Sequence, residues 1–271
     1  SIIFNDILYV GTNQGLVAIE LHKLSNPSPD GKNYQLVAGT EGQVWNLTEI
    51  DGTLLCGHNF GCFQVEGLSA RRISSERGFW GFFQPKSHPN IAIAGTYSGL
   101  HKLERVGGRW VSRGQIEGFS ESSRVPFEDE MGNIWFAHGY RGIFRLELDK
   151  HLEKVISVNL YDSSQGLSGE LPYFIHKFNG KLIATTYSGV YEYSQTTDSF
   201  TPSEFCNTLF KDMPLIENLK KDSNGNIWYC TDTYMGVQRL LEDWSYRDIS
   251  TPFNRIKDYL INSFQDIYIH S

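Results

Sequence analysis

The sequence predicts an all-β fold, a β-propeller of about six four-stranded blades. Three observations carry that prediction. The 271-residue chain is 14% aromatic and holds 26 Gly against 9 Pro, a composition of strands joined by tight turns. A hairpin pattern of strand, glycine turn and strand recurs six times along it. The repeat is about 44 residues long, and a further strand lies on each side of each hairpin, which is the arithmetic of a propeller blade.

The hairpins read DILYVGTNQGLVAI from Asp6, TLLCGHNFGCFQV from Thr53, NIAIAGTYSGLHKL from Asn90, NIWFAHGYRGIFRL from Asn133, KLIATTYSGVYEY from Lys181 and NIWYCTDTYMGVQRL from Asn226. Their turn glycines are expected at Gly15, Gly61, Gly99, Gly142, Gly189 and Gly236, at spacings of 46, 38, 43, 47 and 47. On this alignment the sixth copy carries one extra residue before its glycine. Upstream first strands are predicted from Gln43, Phe79, Arg124, Tyr173 and Ile216, each entering the hairpin through a polar turn such as Asp-Gly, Asn-Gly or DSNG. Weaker fourth strands follow, as in WVSRGQI from Trp110 and KVISVNL from Lys154. Alternation is imperfect, as expected where both faces of a sheet pack on neighbours. A β-sandwich is the structural alternative, but it predicts no such self-similarity.

Both ends cut a repeat. Ile2 to Phe4 matches only the tail of a first strand, and DYLINSFQDIYIHS from Asp258 reads as a first strand and a second. Either the strand near Asp258 completes the first blade and closes a six-bladed ring, or the piece belongs to a truncated seven-bladed ring or a longer array. Exposed sheet edges are avoided, which favours closure. We read residues 1–271 as a single propeller domain. The absence of an initiator Met, a charged n-region and an apolar h-region at Ser1 marks a fragment of a longer chain.

Charge and cysteine usage narrow the function class. The formal net charge is −7 with no cluster of Lys or Arg, which argues against nucleic acid as a partner of this domain. No run of 18 apolar residues exists, so no membrane contact is expected in this segment. Cys56, Cys62, Cys206 and Cys230 form no Cys-x-x-Cys pair and read as buried thiols; the compartment's redox state stays open.

EDEMGNIW and KKDSNGNIW, together with VGTNQGL from Val10 and AGTYSGL from Ala94, resemble the regulator-propeller repeat of two-component regulators. In that family an Asp-x-x-Gly turn, an Ile/Leu-Trp strand and a Gly-Thr-x-x-Gly-Leu turn recur. Other copies drift, with His138-Gly139, Thr185-Thr186 and Thr231-Asp232 in place of Gly-Thr. The resemblance covers essentially the whole chain. It implies a periplasmic sensor region of a hybrid two-component system, or of a related membrane-bound transcriptional regulator, in Bacteroidetes-type bacteria. It further implies a glycan-derived ligand, a following triple-tyrosine immunoglobulin-like domain, and a homodimer formed through this or adjacent domains.

The chemistry along the chain points to binding. There is no G-x-S-x-G elbow, H-E-x-x-H motif, Walker loop or G-x-G-x-x-G, and no catalytic residue, cofactor or metal is expected. DSNGNIW from Asp222 lacks the later ligands of a calcium loop and reads as a structural turn. A propeller glycan hydrolase or lyase is a rival reading, with Arg71, Arg72, Arg124 and Arg141 as cations and Glu41, Glu121 and Glu170 as carboxylates. The other rival is a pure interaction or dimerisation scaffold.

In a propeller the hairpin turns and the loops entering first strands share a face. That face is expected to carry Tyr97, Tyr140, Tyr187 and Tyr234 in four turns and Asn13 and Asn59 in the other two. The candidate ligand-binding residues are Arg124, Glu170, Arg141, Trp45, Trp80, Tyr173, Tyr140 and Tyr187. Aromatic rings cover the C–H faces of sugars while charged groups meet hydroxyls. Against this, a residue recurring at one repeat position serves the repeat, so the Tyr set also reads as packing between blades, and Trp135 and Trp228 as core.

Overall fold

A computed structural model of the chain describes residues 1–24, 33–211, 213–259 and 267. The described strands form six four-stranded antiparallel sheets, and in each the strands neighbour one another in chain order. Blade 1 comprises Ile2–Phe4, Ile7–Gly11, Leu16–Glu20 and Gln35–Leu36, and blade 2 Val44–Ile50, Thr53–His58, Gly61–Glu66 and Ser69–Ser74. Blade 3 comprises Gly81–Phe83, Ile91–Thr96, Gly99–Val106 and Arg109–Gln115, and blade 4 Arg124–Glu128, Ile134–His138, Gly142–Leu148 and Val155–Tyr161. Blade 5 comprises Phe174–Phe178, Lys181–Thr186, Gly189–Ser194 and Ser199–Pro202, and blade 6 Ile216–Lys221, Ile227–Thr231, Met235–Leu240 and Tyr246–Ile249. The fold class is that of an all-β, six-bladed propeller.

Burial explains the imperfect alternation. Every residue of Thr53–His58 and of Ile91–Thr96 is buried, because a middle strand is covered on both faces. The outer strand Ser69–Ser74 has no buried residue.

The hairpin turns explain much of the repeat. At Gly61, φ is +142° and a Cβ would lie 2.2 Å from the Ser74 carbonyl oxygen, so only glycine fits. At Gly95 a Cβ would lie 1.8 Å from the carbonyl oxygen of Ser123, which enters the next blade. Blade 5 solves the same approach differently: the Thr185 hydroxyl donates to Ile216 O at 2.6 Å.

The residue opening the turn caps it. The Thr96 hydroxyl accepts the Ser98 N–H at 3.2 Å and donates to Gly99 O at 3.1 Å. Thr12, Thr186 and Thr231 repeat this, and in blades 2 and 4 the Nδ1 of His58 and His138 accepts the N–H two residues on, at 2.9 and 3.2 Å.

Two expectations are corrected. In blade 6 the Thr231 N–H donates to Tyr234 O at 2.8 Å, as Thr12 N–H does to Gly15 O at 3.0 Å. Tyr234 therefore takes the glycine's place, no residue is inserted before it, and Gly236 pairs with Tyr229 inside the outgoing strand. Tyr234 packs edge-on to Tyr229 at 6.1 Å rather than matching Tyr97. At the C-terminus, Thr251–Tyr259 is 3-10 helical where a first strand was expected from Asp258. The remainder of the expected closing strands lies outside the described residues, apart from the buried Ile267. Blade 1 draws all four strands from its own segment.

The chain divides into two compact units, residues 1–136 with 145–158 and residues 137–144 with 159–271. Among the described residues, two core clusters lie in the first unit. One joins Tyr9, Leu16, Leu54, Cys56 and Phe63; the other joins Leu55, Cys62, Phe79, Leu103 and Trp110. The core of the second unit joins Ile183, Cys206, Phe210, Ile227 and Tyr229. All four cysteines are free and buried, as expected, and burial pushes the Cys56 thiol up to about 12.

The Asp-x-x-Gly turns hold their tryptophans. Asp129 Oδ1 accepts the N–H groups of Met131 and Asn133, while Oδ2 accepts Asn133 Nδ2 at 2.9 Å and Trp135 Nε1 at 2.7 Å. Asp222 binds Asn224, Asn226 and Trp228 in the same way. Both carboxylates are thus occupied as turn anchors. Trp135 is fully buried; Trp228 is half-buried, with Phe253 at 6.0 Å.

Candidate binding site: an aromatic and arginine cluster in the first unit

First strands of successive blades enter in one way. The N–H of Val44 donates to Thr12 O, that of Phe79 to His58 O and that of Ser123 to Thr96 O, each the opening residue of the preceding blade's turn. The next residue in each case is Trp45, Trp80 or Arg124. These three predicted site residues therefore share one repeat position in blades 2, 3 and 4. In blade 2 that position is a bulge, since Val44 pairs with His58 and Asn46 with Gly57, leaving Trp45 to project from the ladder.

The structure brings the three together. The rings of Trp45 and Trp80 lie 4.3 Å apart, tilted by 38°. The Arg124 guanidinium lies over the Trp80 ring at 5.0 Å. Val125, which follows, adopts φ +44° while 58% exposed. A β-branched residue in that region is strained, and such strain is held at sites where the surroundings fix a geometry.

Tyr97 completes the cluster. Its ring meets that of Trp80 edge-on at 5.3 Å, and its hydroxyl donates to Asn59 Oδ1 at 2.8 Å, from blade 3 to the turn of blade 2. This is the expected inter-blade packing, yet 38% of Tyr97 stays exposed. Gly78 makes room for it, since a Cβ there would come within 2.2 Å of the ring. Arg77, exposed, stacks over the Phe60 ring at 5.3 Å, and its carbonyl faces the Tyr97 N–H. Of the other predicted cations, Arg71 is tied to Gln64 Oε1 and Trp110 O, and Arg72 lies over Phe63.

The five remaining candidates lie in the second unit. Tyr140 is 82% and Tyr187 57% exposed, and Arg141 lies over the Phe144 ring at 6.0 Å. Tyr173 is buried, and its hydroxyl donates to Gly169 O at 3.0 Å, so its role there is to hold the entry loop. Glu170 is exposed and forms no ion pair with Arg141.

Arg77 escaped the sequence reading because it sits in no repeated position, and Phe60 because its place before the turn glycine holds polar residues such as Gln14 and Ser98 in other blades; the only signal for Arg77 was a cation beside the Gly78 that precedes Phe79 and Trp80. Glu217 escaped too. It occupies the bulge of blade 6, between the Ile216–Thr231 and Asn218–Cys230 pairs, as Trp45 does in blade 2. Burial, then the nearby Asp232 charge, pushes its carboxyl up, and its Oε2 is buried with no hydrogen-bond partner among the described residues. No group of three metal-ligating side chains converges among the described residues, and no described helix is long and apolar enough to cross a membrane.

No protein-family model matches the chain, and no curated protein matches it in sequence. Solved structures do resemble it. The extracellular domain of BT4673 from B. thetaiotaomicron, described as a one component system, superposes with a TM-score of 0.61 at 13% identity, over 91% of this chain and 32% of that one. A second structure of that domain, described as a hybrid two component system, gives 0.60 at 14% over 92% and 32%. Virginiamycin B lyase from Staphylococcus aureus gives 0.55 at 10% over 92% and 82%. These likenesses show the propeller fold, and the chain spans about a third of the BT4673 domain.

Proposed function

We propose that the chain is a non-catalytic, ligand-binding propeller, the sensor part of a periplasmic region of a signal-transduction regulator. Its ligand is a glycan-derived saccharide taken at the Trp45, Trp80, Tyr97 and Arg124 cluster. One observation carries the reading: three successive blades place Trp, Trp and Arg at one repeat position, the two rings 4.3 Å apart and the guanidinium 5.0 Å from the second ring, beside a partly exposed tyrosine. Aromatic edges beside hydrogen-bonding groups suit a saccharide's alternating C–H and O–H surface. The likeness to BT4673, whose matched region is an extracellular domain, supports the sensor reading, as do the Asp-x-x-Gly and Gly-Thr turns. Signalling itself requires two states of different ligand affinity, which adjoining domains would supply.

A thermal-shift screen against an oligosaccharide library, with analysis of released sugar for each hit, tests this. The expected result is a raised melting temperature, no product, and loss of the shift in Tyr97→Ala. Hydrolysis or elimination of a hit would replace the sensor with an enzyme. A shift unaltered by Tyr97→Ala and Arg124→Gln would remove the cluster as the site. No shift with any saccharide would leave the scaffold reading.

A further inference from the structure

The loop that enters blade 3 carries an acid and a base that do not meet. Tyr97 and Asn59 join the hairpin turns of blades 3 and 2 through one hydrogen bond at 2.8 Å. Loop 75–78 is tied to both turns, since the Gly78 N–H donates to Asn59 O at 3.1 Å and the Arg77 carbonyl faces the Tyr97 N–H. Its two charged side chains part to opposite turns. Arg77 lies over the Phe60 ring at 5.3 Å, on the turn of blade 2. Glu76 accepts the Ser98 hydroxyl at 3.0 Å, on the turn of blade 3. Both are exposed. Neighbours in sequence and opposite in charge, they form no ion pair with each other or with a third group among the described residues. Arg77 therefore keeps its N–H donors, Asn59 its carboxamide N–H groups and Glu76 its second oxygen without a partner among the described residues.

An acceptor and a donor held apart beside exposed rings suit a group that donates and accepts at once, as a hydroxyl does. Two hydroxyls on neighbouring ring carbons can donate one hydrogen bond to Glu76 and accept another from Arg77 or Asn59, both charge-assisted where the partner is ionised. The C–H face of the sugar then has Tyr97, 38% exposed, and Phe60, 45% exposed, to cover it. A carboxylate on the sugar would gain the Arg77 fork but meet the Glu76 charge, on a chain of net charge −7. An amino sugar meets the reverse conflict at Arg77. We infer that loop 75–78 selects an uncharged saccharide with a free vicinal diol, read by Glu76 and Arg77. The inference rests on the saccharide-binding reading above, and adds the charge of the ligand and the residues that read its hydroxyls.

The test is isothermal titration of the chain with neutral gluco-, galacto- and manno-configured trisaccharides, each beside its uronate counterpart. Wild type is expected to bind a neutral form at least fivefold more tightly than its uronate counterpart, with a neutral-form affinity that does not change as salt rises. Glu76→Gln should act with opposite signs, weakening the neutral form at least threefold and strengthening the uronate. A loss of folded structure cannot do that, and the variant retains an acceptor for the Ser98 hydroxyl. Arg77→Gln should weaken both forms, as should Tyr97→Ala. A uronate bound as tightly as its neutral counterpart, or a neutral affinity unmoved by both Glu76→Gln and Arg77→Gln, overturns the inference while saccharide binding stands. Binding of neither form overturns both.

Discussion

Protonation of His58 would turn the Nδ1 that accepts the Phe60 N–H into a donor facing a donor. His58 fills the place of Thr12 and Thr96, but a threonine hydroxyl accepts at any pH. Burial holds the His58 imidazole below its ordinary value, and does the same to His101; His176 is held to about 4 by burial with Lys220 nearby. The sign follows from linkage. The unfolded chain takes up these protons near pH 6.5 and the folded chain only lower. The neutral imidazoles therefore contribute stability that is full above pH 6.5 and is lost as pH falls through the folded values. Melting temperature should drop from pH 7 to 4.5 in wild type, and drop less in His58→Thr, measured as the difference within each protein. An equal drop in both would show that His58 is not part of the acid response.

At the scale of the strand and its turn, the two Asp-x-x-Gly turns offer an internal comparison. Burial alone would raise the Asp129 carboxyl, and hydrogen bonds from Trp135, Asn133 and Met131 outweigh it, holding it below the usual carboxylate range. Asp222 has the same balance. Removing Asp129 strands the indole N–H of a fully buried tryptophan, whereas Trp228 is half-buried and water can replace the lost acceptor. Asp129→Ala should therefore cost about 3 kcal/mol and Asp222→Ala about half that, by urea unfolding, since a buried orphan donor adds roughly 1–3 kcal/mol to a lost hydrogen bond. Equal costs would mean that burial of the tryptophan is not what the carboxylate serves.

These turns were legible in the sequence because Asp, Gly, Asn and Trp each have one job at one spacing. The glycine of blade 6 was not. Cys230 and Met235 pair across the turn, and Tyr234 closes it through its carbonyl, which any residue provides. Counting glycines therefore displaced the alignment. The same limit applied to the site. Trp45, Trp80 and Arg124 were legible as first-strand entries, while the buried Tyr173 was indistinguishable from them without knowing that its hydroxyl turns back to Gly169. Arg77 was hidden because stacking on Phe60 joins residues that no repeat relates.

At the scale of the whole molecule, the repeat gives every blade a hairpin turn and a first-strand entry, and only their side chains differ. In the first unit those positions hold a cluster of aromatic rings and an arginine. In the second they hold exposed tyrosines at 140 and 187, a buried tyrosine at 173, and the Glu217 carboxyl, pushed up by burial. A ligand at the cluster should leave a footprint on the first unit alone. Hydrogen exchange at saturating saccharide should slow at residues 58–61, 76–80, 96–99 and 123–125 and stay unchanged at 186–189 and 231–234. Ligand at a hundredfold excess over Kd stabilises the folded state by about 2.7 kcal/mol, so the slowed amides should also include core strands that exchange by global unfolding. The turns are the discriminating readout, because they open locally and respond only to direct contact. Protection at 186–189 or 231–234 instead would move recognition to the second unit, and would make Glu217, whose Oε2 lacks a partner among the described residues, the group to substitute next.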